Sequence, residues 1–411
     1  MVRVHDVKVW AVLLAAVFAC TAQAAEYTKP KVRAITAFVR LDPAAYERQV
    51  GATLAVLHEA QRAFEQQGYT VQSVRITTQP LAELVKGKSD AEALAFLKAL
   101  NDMAGKQSFL PDVGPAMLHD ADDPHAMQLL AQALSTLPQI NASAIMAGDD
   151  GIHWKVIRES ARLVRYVADH SPHSQGTFGF AAIAMLKPYG PFYPGAYHLE
   201  DGQRLSIGFE GANVVQEVFA RHRGDFDGAV AELTRQLTVH ARVAEAIGTQ
   251  VAAHNGWTFM GVDPTPAPLG EVSIGAGMEA FTGAKFGESG TMTAALAITT
   301  AVKAVPVKQI GYSGLMVPVM EDKLLARRWA EGTYDTDALL AYSAVCGTGI
   351  DTVPLPGDVS EDRMVRIYGD VAALAWKWHK PLSARLQPVT GRKAGETTGF
   401  DDPYLFNTKI H

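Results

Sequence analysis

The chain predicts an α/β protein with largely parallel strands, and three observations carry that class. Segments of helical period and of strand-like period alternate almost throughout from Val32 onward. At 411 residues the chain is long enough for a large, self-sufficient core. Its only cysteines are Cys20 and Cys346, which excludes a small fold held by disulfides.

The elements follow in order. "VRAITAFVRL" (32–41) reads as a strand, and the amphipathic run 42–68 as a helix with Pro43 near its first turn and Gly68 at its end. "VQSVRITT" (71–78) is a second strand, with helices near 90–104 and 124–136. "ASAIMA" (142–147) has the look of a buried strand feeding a helix over 153–169, and "TFGFAAIAML" (177–186) is a strongly apolar strand. Helices over 211–221 and 226–253 come next. The last third predicts a helix over 291–305, a strand over 314–320, and helices near 321–330 and 335–342. A helix over 359–378 and a strand over 383–389 complete it. No low-complexity linker and no solenoid repeat divides the chain, so 25–411 is expected to form one domain.

The first residues are set apart. Arg3, His5 and Lys8 precede the apolar run "VWAVLLAAVFAC" (9–20), and Ala22-Gln23-Ala24 forms a small-x-small cleavage site. This is the pattern of a secretory signal peptide over 1–24, whose removal leaves 387 residues (411 minus 24). The run is shorter than the ~20 residues needed to span a bilayer, so a soluble periplasmic or extracellular product is expected. Two alternatives stand beside it. One is a lipid anchor on Cys20, against which Phe18 occupies the place of a small residue; the other is a buried N-terminal helix.

A net charge of -6 with interspersed signs offers no basic face for nucleic acid and no polybasic patch for a membrane. A small polar ligand fits this surface better than a polymer. The sequence names no cofactor and leaves a homo-oligomer open. Two long irregular segments, "KPYGPFYPGAYHLEDG" (187–202) and 261–290, are candidates for functional loops, with a covering role as the alternative.

"SAVCGTGIDTVPLPGD" (343–358) places the one thiol expected in the processed chain in a turn-forming run. A thiol becomes a nucleophile beside a cation, a base or a helix N-terminus. Gly347 and Gly349 offer backbone N–H groups for a substrate carbonyl or carboxylate, and Asp351 and Asp358 would orient a base or ligand. The alternative is a buried cysteine acting as a small hydrophobe. In "GESGTMTAA", Gly290 and Thr291 open a helix whose N-terminus would hold an anion, or Thr291 is an ordinary cap. "GAGMEA" (275–280) fits a dinucleotide fingerprint, but no clear βαβ unit surrounds it and no acid follows about 20 residues on, so that reading is discarded. His170 with His173, and His198 with Glu200 and Asp201, are metal-ligating types in no established zinc spacing. His153 and His254 read as structural, at a helix start and a helix end. Glu321 and Asp322 follow a strand, at a barrel mouth or in a helix first turn.

"GVDPTPAP", then Ser273, Glu279 and "GESGT", then "GLMVPVMED", "VCGTGIDTVPLPGD" and "RLQPVTGRKAGE" resemble, in this order, the uncharacterised family called domain of unknown function 711, also grouped as uncharacterised protein family 0210. The resemblance runs from about Val32 to the C-terminus and is strongest after Trp257. It implies a closed ten-stranded α/β barrel of the pyruvate formate-lyase and anaerobic ribonucleotide reductase type. In such a barrel "VCGTGIDTVPLPGD" would be an internal finger loop with Cys346 at its tip. The family has no settled activity. Radical enzymes of this fold carry an Arg-Val-small-Gly-aromatic motif, whereas here Gly391 is followed by Arg392, and export is a second objection to an oxygen-sensitive radical.

The expectation is therefore an exported enzyme acting, without a glycyl radical, on a small carboxylate- or amide-containing metabolite in the barrel lumen. Cys346 would be nucleophile or proton donor, facing a polar cavity with a charged neighbour. Asp263, Asp351 and Glu321 would form the acid/base or recognition set. Gly347, Gly349, Asp358, Gly290, Thr291, Glu279 and Asp322 would bind the ligand, and no metal ligand is assigned. A periplasmic binding or sensor protein and a metal-dependent hydrolase are the alternatives.

Overall fold

The computed structural model describes residues 27–411; the expected signal peptide and Cys20 lie outside the described residues. The first half runs β1 (Lys31–Phe38), α1 (Tyr46–Gln66), β2 (Val74–Thr77), α2 (Leu81–Leu84), α3 (Asp90–Gln107), β3 (Leu110–Pro115), α4 (His125–Thr136), β4 (Asn141–Gly148) and β5 (Gly151–Ile152). It continues with α5 (Trp154–His170), a 3-10 segment (Pro172–Gly179), β6 (Phe180–Ala184), β7 (Arg204–Glu210), α6 (Ala212–Arg221), α7 (Phe226–His254) and β8 (Thr258–Asp263). The last part is α8 (Ile274–Thr282), α9 (Thr291–Lys303), α10 (Lys323–Glu331), α11 (Thr336–Ser343), β9 (Gly349–Pro356), α12 (Glu361–Trp378) and β10 (Leu382–Val389).

Local chemistry starts many of these helices where the sequence places them. Ser89 and Glu92 form a reciprocal capping box on α3, while Asp225, Asp335 and Ser360 accept the first free N–H groups of α7, α11 and α12. Apolar faces such as Leu57 and Phe64 of α1, Val218 and Phe219 of α6 and Leu233 and Leu237 of α7 join the main core. Each such side chain contributes roughly 1.5–3 kcal/mol by leaving water.

The strands form one mixed sheet of ten strands, in the order β8-β7-β1-β2-β3-β4-β6-β10-β9, with β5 pairing off β4. β1, β2, β3, β4 and β6 run parallel to one another; β7 and β8 on one side, and β10 and β9 on the other, run the opposite way. The parallel expectation thus holds within each block and fails at the β1–β7 and β6–β10 boundaries. The expected strand over 314–320 is an extended segment making isolated bridges, because Ser313 turns the chain at φ +46° and Pro318 lacks a donor. Gln309 bridges Val262 of β8 and Pro318 bridges Asp351 of β9, so this segment touches both end strands of the sheet.

Both faces of β10 are buried, and its residues alternate Leu382, Ala384, Leu386 against Ser383, Arg385, Gln387. A buried polar face needs polar contents. On the same pattern β2 presents Arg75 and Thr77 to one side, and the long loop 187–202 lies there. Thr36 Oγ1 donates to Pro191 O, Thr77 Oγ1 lies 2.9 Å from the Tyr193 hydroxyl, and Gly208 makes room for Phe192. The irregular segment that crosses the polar face is therefore 187–202. The expected finger loop is a different object: residues 349–356 are strand β9, laid in register along β10.

Candidate functional site

Arg33 on β1, Arg75 on β2 and Arg385 on β10 converge with Glu321 and Tyr193. These five residues form the common wall of two cavities of about 950 and about 40 Å³. Strand geometry aims two of the groups. Ile350 pairs with Ala384 and Val353 with Leu386, so Asp351 and Thr352 together oppose Arg385 alone in a β-bulge. Thr352 takes φ +47°, a strained value for a β-branched residue, and its hydroxyl accepts from Met320 N at 3.0 Å.

Arg385 donates from Nε to Asp351 Oδ1 at 2.5 Å and from Nη2 to Oδ2 at 2.9 Å; Nη2 also donates to Glu321. Burial works against this guanidinium, but Asp351 and Glu321 hold its pKa above the ordinary arginine value. Arg33 donates from Nη2 to Glu321 Oε2 at 3.0 Å and from Nη1 to Gln72 at 3.2 Å, and lies 3.7 Å from Glu210.

Arg75 differs from its neighbours. It is 6% exposed, donates from Nε to Ser73 Oγ at 3.0 Å, and lies over the Tyr193 ring at 4.8 Å. Among the described residues no carboxylate stands within salt-bridge distance of it. Burial, with repulsion from Arg33, brings its pKa down to about 10, so it stays charged at neutral pH. The nearby Asp112 makes no ion pair with it: burial pushes its carboxyl well above the usual range despite the attraction of Arg75, and its Oδ2 has no hydrogen-bond partner. Tyr193 keeps its proton as well, since burial raises the phenol well above its ordinary value. Of the three guanidinium groups, Arg33 and Arg385 thus have carboxylate partners in Glu210, Glu321 and Asp351, and Arg75, which has none within salt-bridge distance, faces both cavities.

Of the residues singled out in the sequence, Asp351 and Glu321 come together here. Cys346 does not. It is buried in the main apolar cluster, lines neither cavity, and follows the end of α11, its N–H bonded to Tyr342 O at 2.8 Å. The charged neighbour expected for it exists as Lys380, whose ammonium donates to the carbonyls of Ser343, Ala344 and Cys346. The anion nest is absent too: Gly347 N donates to Leu315 O, and Gly347 is glycine because a Cβ would sit 2.4 Å from Gly314 Cα. Gly349, at φ +90°, faces Ser383 O, where a Cβ would lie at 2.2 Å. Asp358 is exposed in the turn after β9.

The other candidates lie outside the five-residue wall and bond to the surrounding frame. Asp263 is buried and accepts from Thr265, Tyr312 N and Ser313 N, pinning the 309–318 segment to β8. Asp322 caps α10 through Oδ1 and the start of α8 through Oδ2. Glu279 pairs with Arg328 and accepts from Phe286 N. Thr291 closes a turn by donating to Glu288 O and accepting from Gly287 N, which leaves Gly290 as a left-handed cap. "GAGMEA" lies in α8, where Gly275 and Gly277 admit Leu325 and Val215. His170 and His173 line the outer part of the large cavity, His173 beside Asp401 at 3.2 Å, and His198 is buried against Phe38 and Tyr189.

Arg33, Arg75, Arg385 and Tyr193 were missed. The signal available was a lone arginine in the middle of an apolar strand, in "KVRAIT", "SVRITT" and "SARLQ".

A family model described as "Uncharacterised ACR (DUF711)" matches residues 24–401. The chain belongs to the DUF711 family. Its curated relatives carry the family name UPF0210. The chain is 32% identical over 397 residues to the UPF0210 protein of Pyrobaculum aerophilum, covering 89% of this chain and 86% of that one. It is 28% identical over 375 residues to that of Desulforudis audaxviator, covering 86% and 81%, and 26% identical over 354 residues to that of Listeria monocytogenes, covering 81% and 77%. Among solved structures, an anaerobic ribonucleotide reductase aligns with this DUF711 chain at a TM-score of 0.35 and 10% identity, over 92% of this chain and 76% of that one.

Proposed function

We propose that this DUF711 protein is exported and takes a small carboxylate- or amide-containing metabolite into the cavity at Arg33, Arg75 and Arg385, where it acts on it as an enzyme without a glycyl radical. The observation that carries the reading is Arg75, a buried guanidinium that lacks a carboxylate partner and faces the open space. A buried cation without a counter-charge is costly, and an incoming carboxylate would relieve it through the paired donors of the guanidinium. Tyr193 supplies a protonated hydroxyl beside it, and Glu321, reaching the wall of both cavities, is the carboxylate placed to exchange a proton with a bound molecule. Cys346 has no part in this version. We read the sheet as a barrel closed through 309–318, which bridges both end strands and would enclose the cavity.

A second reading, a binding or sensor protein that holds the same ligand unchanged, is favoured by one observation: Glu321 and Asp351 are both engaged by Arg385, and Glu321 by Arg33 as well. Calorimetric titration with a panel of small mono- and dicarboxylates and their amides tests the shared claim. Binding is expected, weakened at least about tenfold by Arg75→Gln, since hydrogen bonds to charged groups contribute about 1.5–3 kcal/mol. No binding to any member, or equal binding by the variant, rejects the site. Mass spectrometry of bound ligands after incubation then separates turnover from retention.

A further inference from the structure

A second group of side chains lies at the other end of β4 from the cavity. Asn141 opens that strand at the cavity wall, whereas Gly148 ends it beside Asp150, so the two places are roughly 20 Å apart at the rise of a strand. Around the β4–β5 turn, Asp150 stands between two histidines. Its Oδ2 lies 3.0 Å from His119 Nδ1 and its Oδ1 lies 3.0 Å from His153 Nε2.

The surroundings hold all three in place. His153 sits at the start of α5, its main chain donating to Met146 O at 2.9 Å and its ring Nδ1 lying 2.7 Å from Ile145 O. His119 belongs to the loop after β3, which is fastened on both sides. Asp120 Oδ1 accepts from Lys155 N and Val156 N of α5, and Asp122 Oδ2 accepts from Leu118 N and His119 N. Position 148 is glycine, where a Cβ would come within 2.8 Å of Asp150 Oδ1.

Donor and acceptor accounting makes this group unusual. Ile145 O can only accept, so Nδ1 of His153 carries the ring hydrogen. In a neutral ring Nε2 then has only a lone pair, directed at a carboxylate oxygen that also only accepts. Two acceptors 3.0 Å apart require a cation between them, either a second ring proton or a metal ion. Metal-binding histidines characteristically donate their other ring N–H to a carbonyl or carboxylate, which is what His153 does toward Ile145.

We propose that His119, Asp150 and His153 bind a divalent transition-metal ion of the zinc class, with a fourth position open to water. The three ligand atoms lie within 4.8 Å of one another, and the His119 ring is exposed. Two imidazoles and one carboxylate match the ligand preference of zinc and its neighbours better than that of magnesium or calcium. The set lies apart from the arginine cavity and does not depend on how that cavity is used. His153, read as structural in the sequence, becomes a ligand.

The test is calorimetric titration of the full-length, tag-free, chelator-stripped protein with Zn²⁺, and optical titration with Co²⁺. One ion per chain is expected to bind at this site, with visible cobalt bands. His119→Ala and Asp150→Asn should each weaken it at least about tenfold, on the scale seen when metal-site residues are altered. Asp149→Asn, a neighbouring carboxylate paired with Lys187, should leave affinity unchanged. Thermal melting of the metal-free variants at the wild-type temperature shows that any loss is not misfolding. No zinc uptake, or uptake equal in wild type and both ligand variants, overturns the proposal and leaves His119, Asp150 and His153 as a hydrogen-bonded group without a metal.

Discussion

Asp351 and Arg385 face each other across a β-bulge, joined by two hydrogen bonds of 2.5 and 2.9 Å, with both residues buried. Removing the cation leaves Asp351 and Glu321 facing each other's charge in a low-dielectric space. Arg385→Met should therefore cost about 3–5 kcal/mol, the scale for breaking a buried pair. Adding Asp351→Asn should recover part of that loss. Urea unfolding of the single and double variants measures both.

Arg75 should behave in the opposite way. Because it is buried without a carboxylate, Arg75→Met should leave the ligand-free protein as stable as wild type or up to about 3 kcal/mol more stable. The same variant should lose the stabilisation that a bound carboxylate gives to the wild type. Melting curves with and without ligand separate the two effects; a large loss of stability in the ligand-free variant would place Arg75 in the structural frame.

Cys346 is buried behind the end of α11 and reaches neither cavity. Alkylation of the folded protein, read by intact mass, should proceed only as the chain unfolds, with immediate labelling in denaturant. Cys346→Ala should bind carboxylates as the wild type does. Rapid labelling of the folded form would restore the thiol to the list of reacting groups.

His240 sets a pH dependence. Burial, with a smaller push from Lys29, brings its pKa down from 6.5 to about 4, and its Nδ1 lies 2.8 Å from the Tyr69 hydroxyl. Between these values the unfolded chain binds a proton that the native protein refuses, so stability rises with pH across the window and is lost as pH falls through it. His198, also brought down to about 4 by burial, acts in the same direction. Urea midpoints at a series of pH values should show a shallower slope for His240→Gln, with the remainder due to His198 and other groups.

Most helices were legible because their signals are local: a cap, a period, a terminating glycine. Strands that violate local rules were not. β3 carries Pro111, Gly114 and Pro115 and went unassigned, while β9 carries Pro354 and Pro356 and looked like a turn. β9 tolerates its prolines as an end strand of the ladder, with β10 on one side only. The sequence also singled out Asp351 and Glu321 but could not join them, since the arginines that meet them come from β1 and β10, more than three hundred residues apart in the chain. The place of the thiol was not legible because glycines that permit close approach, such as Gly347 against Gly314, look the same in a sequence as glycines that form a ligand-binding turn.

The order of strands has a consequence for how the molecule is made. β10 lies inside the row, between β6 and β9, although it is the last strand synthesised. β6 ends at Ala184 and must wait for Leu382 before that edge is covered by β10. Until then an apolar strand keeps a row of unpaired amides and carbonyls open to other chains. Translation stopped anywhere short of β10 yields a sticky fragment, and long-range pairing of this kind makes folding slow and late.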